Sequence, residues 1–237
     1  MVSLSPAMTE ILFALNTQDK LVGVTTFCTY PEDARSIAKV GDFSNPSLER
    51  IVGLKPDLVI VNTPEQQRIQ QQLKQLGINV FESSPHTMQD IFDEIIDIGT
   101  RMNAAEVAES IVTYMKEAIK PVEGTKKCVY IELSSRPLIT IGSTTFLNEL
   151  LELAGGTNIF NDHSQSYPVV TQETVIERDP EIIIILHPEP FGDRIGWSNI
   201  KAVKTGRIFS DITQDHLMRP GPRLVLGFRE LEKAIHD

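Results

Sequence analysis

A fourteen-residue pattern occurs twice in this chain and constrains its fold more than any other feature. The first copy runs Leu48-Glu49-Arg50-Ile51-Val52-Gly53-Leu54-Lys55-Pro56-Asp57-Leu58-Val59-Ile60-Val61, and the second spans Gln172 to Ile185. The Glu, the Pro and the acid after the Pro recur at one offset: 173 − 49, 180 − 56 and 181 − 57 are each 124. In both copies a short helix ends before the proline and an apolar run follows it. A run of that kind, bounded by a breaker, reads as a strand buried on both faces. Two copies at an offset too long for a solenoid predict two similar α/β lobes.

One helix is expected between them. Asn103-Ala104-Ala105-Glu106 reads as a capping box, in which the Asn accepts from free backbone N–H groups and the Glu reaches back. Val107, Ile111, Met115 and Ala118-Ile119 then recur at spacings of three and four, and Pro121 and Gly124 end the run. About eighteen helical residues would span about 27 Å, the length of a strut rather than a local connector. The expected organisation is a lobe over residues 1–102, a rigid helix over 103–122, and a second lobe over 123–237.

The first lobe reads as β-α alternation. A strand end leads through Ser5-Pro6 into a helix over Ile11–Leu15, then a strand over Lys20–Thr25 and a helical turn over Ala34–Ile37. Ser47 caps the helix of the first repeat copy, and its strand covers Asp57–Val61. A helix over Glu65–Leu76 places Ile69, Leu73 and Leu76 on one face. A strand at Asn79–Glu82 and a helix at Met88–Met102 complete the lobe. The second lobe follows the same plan: strand Cys128–Leu133, helix Phe146–Ala154 stopped by Gly155-Gly156, strand Pro180–Leu186, short helix Trp197–Val203, strand Arg207–Phe209 and closing helix Leu224–Ile235. Such alternation predicts parallel sheets with helices on both faces, and ligands beyond the carboxyl ends of the strands.

Composition removes several function classes. A net charge of −10 without a basic stripe argues against nucleic acid. No apolar stretch approaches the roughly 20 residues that span a bilayer. The N-terminus carries neither a basic segment nor an apolar core of signal-peptide type. The residues leave open a cytosolic protein or an exported chain whose leader has been removed. Cys28 and Cys128 fall in different lobes and are expected as free thiols. His86, His163, His187, His216 and His236 are scattered, with no paired metal-ligand spacing. There is no Gly-x-Ser-x-Gly elbow, dinucleotide fingerprint or phosphate loop, so no catalytic residue, metal site or cofactor is assigned.

Three sets of residues remain. Tyr30, Phe43, Tyr167 and Trp197 are aromatics in expected loops, suited to a flat or bulky ligand, or to loop packing. The loop Asp215-His216-Leu217-Met218-Arg219-Pro220-Gly221-Pro222-Arg223 sets two arginines in a stiff turn, suited to an anionic or amide group or to an internal ion pair with Asp215 or Asp211. Glu49 and Glu173 each follow a hydroxyl residue two positions back and open equivalent helices. The helix dipole favours either acid singly but does not explain their matched placement.

The opening Leu4-Ser5-Pro6-Ala7-Met8-Thr9-Glu10, the Leu48–Val59 segment, the Gly155-Gly156-x-Asn158-Ile159-Phe160 stretch and the Arg219–Arg223 loop resemble the cobalamin-binding branch of ABC-transporter substrate-binding proteins. That branch belongs to a helical-backbone class that also carries haem and ferric siderophores. The resemblance spans essentially the whole chain. It implies two lobes with parallel central sheets joined by one rigid helix, a corrinoid held in the cleft between the lobes as cargo rather than cofactor, and delivery to a permease dimer with its ATPase subunits. It implies Tyr30, Phe43, Asn62, Tyr167, Trp197, Asp215 and Arg219 as ligand-facing and Glu49 and Glu173 as permease-docking acids. A monomer is expected, periplasmic or anchored outside the cytoplasmic membrane. Phe43, Tyr167 and Asn62 stand where the family carries tryptophans, and Leu133 and Ile139 where it carries phenylalanines. Haem or a ferric siderophore is the alternative cargo. A chelatase-like enzyme is the alternative of another kind, against which the scattered histidines argue.

Overall fold

The computed structural model describes residues 1–237. Two units divide the chain. The N-terminal unit comprises Met1–Pro85, Gln89–Tyr114 and Arg219–Pro222; the C-terminal unit comprises His86–Met88, Met115–Met218 and Arg223–Asp237.

In the N-terminal unit the order is β1 (Val2–Ser3), α1 (Pro6–Ala14), β2 (Gly23–Val24), α2 (Leu48–Gly53), β3 (Val59–Asn62), α3 (Gln67–Gln75), β4 (Val80–Ser83) and α4 (Met88–Arg101). The sheet runs β2-β1-β3-β4 with every pair parallel. Val2, Leu4, Val59 and Val61 project from the sheet onto Ile51 of α2 and onto Ile69 and Leu73 of α3, all buried. Leu76 lies beyond that face: it is the residue on which α3 ends and is 56% exposed.

The next helix, α5 (Ala105–Ala118), is shorter than the expected 103–122 span, at 14 residues or about 21 Å. The capping-box reading fails at Asn103, which adopts φ 59°. Asn103 instead ends α4 in a Schellman motif, with Ala104 N–H on Gly99 O at 2.8 Å and Asn103 N–H on Thr100 O at 3.1 Å. Asn tolerates the left-handed region better than other side chains, which is why it stands there.

The C-terminal unit contains β5 (Lys127–Glu132), a hairpin of β6 (Ser134–Ser135) and β7 (Leu138–Ile139), α6 (Phe146–Leu153), β8 (Gly156–Asn158), α7 (Gln172–Arg178), β9 (Ile182–Ile185), α8 (Lys201–Thr205), β10 (Ile208–Phe209), α9 (Gln214–Met218) and α10 (Leu224–His236). Its main sheet runs β10-β9-β5-β8, again all parallel. Both main sheets are thus parallel and four-stranded, the α/β class read from the repeat. The repeat is realised down to its caps: Ser47 Oγ accepts from Arg50 N–H at 3.3 Å and Thr171 Oγ1 from Thr174 N–H at 3.3 Å.

Three elements depart from expectation. Gly155 stops α6 at φ 90°, but Gly156 enters the sheet as the first residue of β8. The segment expected as one helix over 197–203 divides into a 3-10 turn at Trp197–Asn199 and α8. The 215–223 loop holds the short helix α9. Both cysteines are free, Cys28 buried and Cys128 exposed.

Candidate ligand-binding and docking residues

In the N-terminal unit the carboxyl ends of β1 and β3 are tied together by Gln66. Its Nε2 donates to Leu4 O at 3.1 Å and Phe43 O at 2.8 Å, and its Oε1 accepts from Asn62 N–H at 2.8 Å. Gln66 is 2% exposed, so a buried amide fixes the loop that presents Phe43. Asn62, the last residue of β3, donates through Nδ2 to Glu65 Oε2 at 3.0 Å. Beyond β2 the loop exposes two aromatics, Phe27 and Tyr30, at 54% and 47%. Tyr30 was expected there; Phe27, in the same loop, was not singled out from the sequence.

Arg219 joins this unit through a buried carboxylate. Its Nη1 lies 2.8 Å from Glu10 Oε1, and its Nη2 donates to Phe27 O at 3.2 Å. Asp215 lies in the first turn of α9 and approaches Arg223 at 3.9 Å, within the C-terminal unit. Arg219 therefore anchors the loop that carries Phe27, holding its backbone in place.

In the C-terminal unit the organising residue is Glu132, the fully buried last residue of β5. Arg194 forks onto it, Nη1 to Oε2 and Nη2 to Oε1, both at 2.6 Å. His187 Nε2 lies 2.8 Å from Glu132 Oε1, and His187 Nδ1 lies 2.7 Å from Glu189 Oε2. The carboxylate beside it holds the Arg194 guanidinium above its ordinary pKa, and burial pushes the Tyr130 phenol well above its own. A charged residue following the buried apolar stretch Val129–Ile131 was the available sequence signal, since an unpaired carboxylate would not be tolerated there.

Trp197 requires a correction. It is 1% exposed and packs edge-on to Tyr130 and Phe191, with the Arg194 guanidinium 4.5 Å over its ring. It belongs to the core that anchors the 187–196 loop and is not a ligand surface. Tyr167 stays exposed as expected, two residues before the exposed Val169. Nearby, a pocket of about 610 Å³ is lined by the hairpin (Ser134, Ser135, Arg136), by Gln172 of α7, and by Glu189–Ile195. It lies beyond the ends of β5 and β9, where parallel sheets bind ligands.

Glu49 and Glu173 are exposed in the first turns of α2 and α7. Hydrogen bonding to its own backbone N–H, then to Thr171, holds the Glu173 carboxyl below its usual range.

The periplasmic binding protein family matches residues 1–212. The chain belongs to that family. Its relatives include an uncharacterized ABC transporter substrate-binding lipoprotein of Bacillus subtilis, 34% identical over 99% of this chain and 79% of the relative. The fold is shared with the periplasmic vitamin B12 binding protein of Vibrio cholerae, at TM-score 0.84 and 27% identity over 98% of this chain and 94% of that one. It is shared equally with a possible iron-binding periplasmic solute-binding protein from Staphylococcus epidermidis, at TM-score 0.86 and 29% identity over 100% and 98%. As a periplasmic binding protein the chain is a substrate-binding component of an ABC transporter, not an enzyme, and works outside the cytoplasmic membrane with a permease and ATPase as partners. What it binds is cargo. No helix is long and apolar enough to cross a membrane.

Proposed function

We propose that the protein captures a corrinoid of the cobalamin type with the strand-end loops of its two units and delivers it to a permease dimer. One observation carries the reading: each unit exposes aromatic side chains on strand-end loops, Phe27 and Tyr30 in one and Tyr167 in the other. Exposed, rigid aromatics suit the face and rim of a large macrocycle. The likeness to the vitamin B12 binder of Vibrio cholerae supports it. On this reading Phe43, Asn62, Asp215 and Arg219 complete or position the ligand contacts, with Arg219 acting through the Phe27 loop.

Glu49 and Glu173 are the docking acids. A homodimeric permease presents one basic site twice, so a monomeric partner needs two pseudo-equivalent carboxylates, and the repeat supplies them. Exposed pairs contribute about 0–1 kcal/mol each, so their role is steering and register. The membrane anchor follows the lipoprotein relative.

Absorbance titration of the purified protein with cyanocobalamin, haemin and a ferric siderophore tests the cargo. Saturable one-to-one binding of cyanocobalamin alone is expected. Saturable binding of haemin or the siderophore without cyanocobalamin would replace the corrinoid with that cargo.

A further inference from the structure

The polar groups lining the C-terminal pocket fall into two sets. One is engaged within the unit: Arg194 forks onto Glu132, Glu189 meets His187, and Ser134 Oγ accepts from the Arg136 backbone N–H at 3.4 Å. The other comprises the Arg136 guanidinium, the Asp193 carboxylate and the Gln172 amide, none of which has a side-chain partner in the protein. Arg136 and Asp193 are both exposed. The pocket therefore offers one free cation and one free anion, while the charge of Arg194 is already cancelled.

That balance selects by chemistry. A primary carboxamide carries an acceptor and two donors without net charge, so its carbonyl suits Arg136 and its NH₂ suits Asp193. A carboxylate would gain at Arg136 but face Asp193 and Glu189, and like-charge juxtaposition suppresses binding. The clamp is also held in place. Asp193 is the residue before Arg194, whose fork onto Glu132 and stacking on Trp197 and Phe191 fix the loop, and Arg136 sits at the turn of the β6–β7 hairpin.

We propose that Arg136 and Asp193 form a carboxamide clamp that reads the rim of the ligand, selecting amide-bearing macrocycles over carboxylate-bearing ones. The proposal rests on the corrinoid reading, since a corrinoid rim carries primary amides where haem carries two carboxylates.

The test compares dicyanocobinamide, with an amide rim, and dicyanocobyrinic acid, with carboxylates in their place. Calorimetric titration of the wild type and of the Asp193→Asn and Arg136→Gln variants gives the affinity ratio within each protein, which is insensitive to partial misfolding. The wild type is expected to prefer the amide form by at least about tenfold, the scale of one hydrogen bond to a charged group. Asp193→Asn should narrow that ratio by gaining affinity for the acid, and Arg136→Gln should weaken the amide form. Equal wild-type affinities, or a ratio unchanged by Asp193→Asn while both corrinoids bind, would overturn the clamp and leave the corrinoid reading standing. Binding of neither corrinoid would overturn both.

Discussion

Lys55 and Asp179 hold the same left-handed backbone position, at φ 48° and 42°, each immediately before the proline that precedes a buried strand. The repeat therefore conserves a strained turn as well as a pattern of residue types. A non-glycine residue there costs about 1–2 kcal/mol. Lys55 is exposed and its side chain makes no bond in the protein. Lys55→Gly should raise the unfolding free energy by about 1 kcal/mol in urea. Asp179→Gly should show no such gain. The Asp179 carboxylate accepts from the first N–H of α8, Lys201, at 2.8 Å, and losing that cap costs about the same amount. Equal gains from the two substitutions would refute the assignment of Asp179 as a cap.

Glu132 should be the most sensitive polar position in the C-terminal unit. Its removal leaves Arg194 without its buried counter-charge and His187 without the carboxylate it contacts. Glu132→Ala should destabilise by about 3–5 kcal/mol, read from denaturant unfolding. A cost below about 1 kcal/mol, the value of an exposed pair, would mean the cluster is solvated.

Asp162 gives stability an acid limb. The Arg178 guanidinium, 2.6 and 2.8 Å from its two oxygens, holds its carboxyl down at about 2 against an ordinary 3.8. For a carboxyl depressed by folding, the contribution is complete above the ordinary value and is lost as pH falls through the folded one. Urea midpoints measured from pH 5 to pH 2 should fall less steeply in Asp162→Asn than in the wild type. Identical slopes would show the pair to be absent in solution.

Asn103 separates what local sequence carries from what it does not. Its spacing to Glu106 fits a capping box, yet the same residue closes the preceding helix, and only backbone geometry distinguishes the two. Asn103→Gly should stabilise the protein by a few tenths to about 1 kcal/mol if the Schellman role holds. A loss of stability would favour the N-cap.

The legible parts were those with a strong local signal. The all-Ile strand Ile182–Ile185 and the capped helices at Leu48 and Gln172 were readable because burial on both faces and a hydroxyl cap leave direct marks. The two-residue hairpin strands β6 and β7 leave none, and β8 was hidden because Gly156 follows a genuine helix stop at Gly155. Among site residues, Tyr30, Tyr167, Glu49 and Glu173 are exposed on the loops and helix starts where the residues placed them. Trp197 was misread as a loop aromatic because its burial depends on Arg194 and Phe191 closing over it, a tertiary arrangement that no periodicity encodes. The Arg219–Glu10 pair, 209 residues apart, is invisible for the same reason.

The claim that this is a delivery protein is tested most directly by reversing both docking acids. Glu49→Lys with Glu173→Lys, presented to its permease–ATPase complex in liposomes, should abolish stimulated ATP hydrolysis and uptake of labelled cyanocobalamin. The affinity for cyanocobalamin in solution should stay at the wild-type value. A double reversal that weakened ligand binding while leaving stimulation and uptake intact would contradict the account.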